Sequence, residues 1–199
     1  IKADRNFREL AASSEDIQAI QEMVVQTGGY LKDYRLKNPL EEHWAFAGLQ
    51  FVNRWGLIVL GYNNDWKLET PIKRNRFYYM TANALQRTLG RQDLVKAKAG
   101  ALSSYLVSSD LTRVEAARLL LVYLGEDVGA LDGAETVARA AAMGLLALEQ
   151  TGSDPQGTVN GAEAYYATER LCNLLGEIEK NKALQSEDLS EQDISDGTK

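Results

Sequence analysis

The sequence predicts a mainly α protein: a single-domain bundle of about six to seven helices, with a possible short β-hairpin near 56–69. Three observations lead there. Apolar residues recur at three- and four-residue spacing over most of the chain. Several of these stretches open on a capping residue with an acid three positions later. The 3 prolines and most of the 16 glycines fall between the periodic stretches, where helices start and stop.

The first helix is expected from Ser13 or Ser14, with Glu15 and Asp16 at the positive end of its dipole and Gly28-Gly29 as its break. The second is expected from Asn38, with Pro39 at the first helical position and Leu40, Trp44, Ala47, Phe51 and Trp55 along one face. From Gly56 the pattern changes. Gly56 to Lys67 fits a helix running into a loop, and its Asn63-Asn64-Asp65 turn also fits a hairpin. Four further helices are predicted over 74–89, 92–107, 111–124 and 133–150, separated by Gly90, Ser108-Ser109-Asp110 and Gly125, with Asp132 and Glu135 spaced as a capping box. A last helix begins near Asn160, has Glu163 at the box position, and buries Ala167, Leu171, Leu174 and Ile178. Residues 1–185 are expected to form the domain, and 186–199 an acidic tail or linker. No repeat period of the solenoid kind is evident.

Composition removes several function classes. Cys172 is the one cysteine and His43 the one histidine, too few for a zinc site or for the paired Glu-x-x-His motifs of a di-iron bundle. No metal or cofactor is expected. Phosphate-cradling glycine loops and nucleophile-elbow motifs are missing. With no intramolecular disulfide possible, a reducing compartment such as the cytoplasm is favoured, while a periplasmic or secreted protein stays open. The longest apolar window, Trp44 to Tyr62, carries Gln50, Asn53 and Arg54 at its middle, so no membrane span is expected.

Four places have chemistry to weigh. Glu41 and Glu42, beside Trp44 and Phe46, would suit a general acid in a glycan-cleaving enzyme, but first-turn carboxylates are also what the helix dipole favours. His43, Gln50 and Arg54 make a polar stripe that would line a groove or border the core. Lys98 falls among Leu94, Ala101, Leu102 and Tyr105, where desolvation would make it reactive. Cys172, next to Leu171 in the last helix, reads as a core residue.

Charge is distributed unevenly. Residues 67–98 carry eight bases against two acids, and residues 99–199 carry seven bases against seventeen acids, within a net charge of −6. In the helix from Arg74, the residues Arg76, Tyr79, Asn83 and Arg87 align outward, with Arg74 and Arg91 at its two ends. These six are the expected binding surface. They point to a non-catalytic interaction protein (an inhibitor, adaptor or assembly subunit) that meets a protein partner or another copy through complementary charge. The same arginine–tyrosine face leaves open a nucleic-acid-binding coat or ribonucleoprotein subunit.

Overall fold

Helix starts organise this molecule. In the computed structural model the chain divides into two compact units, residues 1–41 and 42–199. The structure describes residues 42–58 and 66–196, with side chains to 185, all within the second unit. The expected helices from Ser13 and Asn38, Glu41 of the enzyme reading, and the tip of the possible hairpin at 59–65 lie outside the described residues.

Among the described residues there are seven α-helices, one 3-10 turn and no strand: α1 (Phe46–Arg54), α2 (Arg74–Leu89), α3 (Gln92–Lys98), the 3-10 turn (Ser103–Leu106), α4 (Arg113–Leu124), α5 (Gly133–Ala142), α6 (Leu148–Thr151) and α7 (Gly161–Asp196). The mainly helical bundle is therefore present. The stretch expected as one helix over 92–107 is split, with Gly100 between α3 and the 3-10 turn. The stretch over 133–150 is split at Gly144, whose φ of 71° is the left-handed conformation that ends a helix. The described ends of the possible hairpin, 56–58 and 66–69, carry no strand.

The three longest periodic helices start at one hub. Ile72 donates its N–H to Val159 O at 3.0 Å, Val159 to Leu111 O at 2.9 Å, and Leu111 to Ile72 O at 3.0 Å, which closes a ring of three segments. Isolated bridges Pro71–Asn160, Lys73–Asp110 and Thr112–Thr158 flank it. The first residue of each following helix repeats the pattern: Arg74 N–H reaches Ser109 O, Arg113 N–H reaches Gly157 O, and Gly161 N–H reaches Thr70 O, at 2.8, 2.8 and 3.1 Å. Each of these bonds satisfies a donor that a helix cannot pair within itself. At Gly161 a Cβ would run into Lys67 O, so glycine is the residue that lets this third start close.

Side chains then fill the space between α2, α4 and α7. Phe77, Leu85, Leu119, Leu120 and Leu171 are fully buried, as are Leu111 and Val159 at the hub. α1 lies across α7, with Gly48 where an added Cβ would meet the Tyr165 and Tyr166 backbone at 2.6 Å. Its buried face is Ala45, Gly48, Leu49 and Val52. The aromatic row expected inside is instead partial: Trp44 and Phe51 are half-buried and Trp55 exposed, because close backbone contact selects small residues for this crossing. α7 passes the end of α2, where a Cβ on Gly176 would lie 3.5 Å from Leu89 and where Glu179 pairs with Arg91. The segment from 186, expected as a tail or linker, continues the α7 helix to Asp196.

A candidate anion-binding pocket

Of the six expected surface residues, four share one exposed row. Arg76, Tyr79, Asn83 and Arg87 are all exposed on α2, Tyr79 by 54%. Arg87 is engaged there, its Nη1 donating to Trp55 O at 2.7 Å and Gly56 O at 3.0 Å, the carbonyls that end α1. Arg91 is bound by acids of the chain itself, Asp93 at 2.9 Å and Glu179; its guanidinium is held further above its ordinary pKa by these two partners. Arg74 points elsewhere, since two helical positions turn it about 200° from Arg76.

That turn brings Arg74 into a pocket of about 270 Å³ lined by Ala101, Leu102, Ser104, Tyr105, Glu115, Arg118, Val122 and Val128. The first turn of α2, the 3-10 turn and α4 supply most of it, with Ala101 and Leu102 just before the 3-10 turn and Val128 after α4. Arg74 Nη2 donates to Glu115 Oε1, its Nη1 lies 3.4 Å from Ser104 O, and its guanidinium carbon sits 6.0 Å from the Tyr105 ring centre. Its Nε is buried with no hydrogen-bond partner. Arg118, exposed on the next turn of α4, has no hydrogen bond or ion pair among the described residues. Glu115 is occupied twice, by Arg74 and, through Oε2, by Thr112 N–H at 3.0 Å, which caps α4. Tyr105 keeps its proton: burial first, then the Glu115 charge, raise its pKa, and its hydroxyl donates to Glu115 O at 2.7 Å.

The pocket thus offers two guanidinium groups, one already neutralised, beside apolar walls. Its free donors include the buried Nε–H of Arg74 and the guanidinium of Arg118. Such a set suits a small anionic group with an apolar neighbour. Sequence reasoning singled out Arg74 but not Arg118. The available signal was the i, i+3, i+7 row of Glu115, Arg118 and Val122 on α4.

The other candidates stay apart from it. His43 precedes α1, accepts from Ala45 N–H at 3.1 Å through Nδ1 and stacks on Trp44, whereas Gln50 and Arg54 are exposed on α1. Glu42 is exposed. Lys98 is half-buried at the end of α3. Cys172 is buried, and burial pushes its thiol up to about 11, as suits a packed, unreactive residue. Among the described residues no group of three His, Cys, Asp or Glu could hold a metal ion, and no helix is long and apolar enough to cross a membrane. Comparison with family models, with curated proteins and with solved structures finds no match to this chain.

Proposed function

We propose that the chain is a non-catalytic binding module that takes an anionic group, a carboxylate or phosphate carried by its partner, between Arg74 and Arg118. One observation carries the reading: the buried Nε of Arg74 has no acceptor. A buried unsatisfied donor costs about 1–3 kcal/mol, and an anion lodged against Arg118 would supply the missing acceptor. Charge-assisted bonds to a guanidinium are among the stronger polar contacts, and the apolar walls of Leu102, Val122 and Val128 would exclude water from them. The reading narrows the basic segment 67–98 to its Arg74 end and adds a residue from α4.

The test compares melting temperatures in inorganic phosphate and in chloride at equal ionic strength, for the native chain and for Arg118→Ala. Phosphate stabilises many proteins by exclusion from their surface, so the difference between the two chains is the readout. A larger phosphate-dependent rise in the native chain is expected, because a ligand bound only by the folded state adds to stability. Equal rises would overturn the proposal.

A further inference from the structure

The exposed row on α2 is separate from the pocket, and it has its own neighbours. Asn75 N–H binds Val107 O, which sets Leu106 and Val107, each about half exposed, beside the first turns of that row. Exposed apolar residues next to an arginine and a tyrosine are the composition from which protein interfaces draw their binding energy. Arg76 has no hydrogen bond or ion pair among the described residues. From Arg76 to Arg87 the row spans about 16 Å.

The chain also carries a segment of the opposite sign. Residues 186–196 hold five acids (Glu187, Asp188, Glu191, Asp193, Asp196), no base, and two aliphatic residues, Leu189 and Ile194. They form the last turns of α7, which has no basic residue there. Acids at a helix C-terminus face the negative end of its dipole, so this arm gains from any cation it meets. α7 pairs with the end of α2 at Glu179–Arg91 and then continues as helix to Asp196, which carries the arm about 25 Å further on.

We propose that the outer face of α2, with Leu106 and Val107, docks the acidic C-terminal arm of a second copy of this chain. The arm matches the row in charge, and its Leu189 and Ile194 match the apolar side chains in kind. Exchange of arms between two copies makes the contact reciprocal, the form a twofold dimer requires. The inference does not depend on the pocket, which faces another flank of α2.

Light scattering on the full chain tests it, at protein concentrations of about 100 μM, first at low salt and then in 1 M salt, where charges are screened beyond about 3 Å. A dimer at low salt that dissociates in 1 M salt is expected. Two variants of the full chain, Arg76→Glu with Arg87→Glu and Glu187→Lys with Asp188→Lys and Glu191→Lys, should each be monomeric alone and should form a mixed dimer when combined, through the one pairing that restores opposite charge. A native chain that stays monomeric, or a dimer that survives either set of changes, would overturn the proposal. So would native material whose absorbance ratio shows nucleic acid released by the Arg76/Arg87 variant.

Discussion

Arg74 and Arg113 occupy the same place in the fold and meet opposite fates. Each is the first residue of a helix that leaves the hub, two positions after a ring residue, and each donates its backbone N–H to a neighbouring segment. Arg113 is sealed. It is 4% exposed and Glu163 7%; its Nε and Nη2 donate to Glu163 Oε1 at 3.1 and 2.9 Å, Nη1 reaches Asp154 O at 2.7 Å, and Nη2 also reaches Thr151 O at 2.9 Å. Glu163 is held in turn, since its Oε2 accepts from Asn160 N–H at 3.1 Å. Arg74 shares its carboxylate with solvent, the pair being 24% and 25% exposed, and its buried Nε–H has no acceptor. The difference lies in the 151–157 segment, whose carbonyls finish the coordination of Arg113. On the Arg74 side Ser104 O, 3.4 Å from Nη1, is the one loop carbonyl in reach among the described residues, and the buried Nε keeps no acceptor.

The comparison predicts unequal costs of removal. Arg113→Ala would strand Glu163 in the interior, and breaking a buried pair from one side typically costs about 3–5 kcal/mol. Urea denaturation should show a loss of that size. A loss under about 1 kcal/mol would mean that water reaches Glu163 and that the sealed site is sealed only in part. Arg74→Ala removes a pair only about a quarter exposed and should cost less than Arg113→Ala by the same measurement, between the range for that buried pair and the about 0–1 kcal/mol of fully exposed pairs.

Glycines on the two sides sharpen the contrast. A Cβ at Gly157 would meet Arg113 Nη1 at 2.5 Å and Asp154 O at 3.1 Å. Gly157→Ala should therefore cost about 1–3 kcal/mol, the range for overpacked sites. On the Arg74 side, a Cβ at Gly100 meets nothing within 4 Å, and its φ is not in the left-handed region. Gly100→Ala should be neutral or stabilise by up to about 1 kcal/mol through the unfolded chain. Equal effects at both positions would show that the loop yields as freely as the open pocket.

How far the sequence announced this depends on which contacts each feature needs. α2 was legible to its ends, Arg74–Leu89, because periodicity and Gly90 are local signals. So was the Asn160/Glu163 cap of α7, where Glu163 N–H reaches Asn160 Oδ1 at 3.0 Å. The buried face of α1 was missed because Trp44, Phe51 and Trp55 outweigh Gly48 in any hydrophobic reading, while the crossing with α7 selects on backbone approach. The hub was hidden because its segments are bridges of single residues, too short for alternation, and Ile72, Leu111 and Val159 meet only in three dimensions. The pocket was half visible: Arg74 stood out as charge, yet nothing local shows that its Nε lacks a partner or that Arg118 lies opposite. Each of the three helix starts does share an aliphatic residue two positions before the helix, followed by Lys73, Thr112 or Asn160, a pattern that gains meaning once the ring is known.

The smallest expected effect on stability belongs to Arg118→Ala, and it is the most informative about the open site. Arg118 is exposed and unpaired among the described residues, so its removal should change unfolding free energy by no more than about 0.5 kcal/mol. Its loss should still weaken anion binding, because a charge-assisted bond contributes about 1.5–3 kcal/mol, roughly a tenfold to hundredfold change in Kd. Calorimetric titration with inorganic phosphate at low ionic strength measures this directly. Lysine at 118 keeps the charge but gives up the planar fork, so Arg118→Lys should fall between the two. If lysine restores full affinity, the pocket acts as a point of positive charge; if it restores none, two parallel bonds from the guanidinium hold the anion, and the open arginine site selects by geometry as the sealed one does with its own carbonyls.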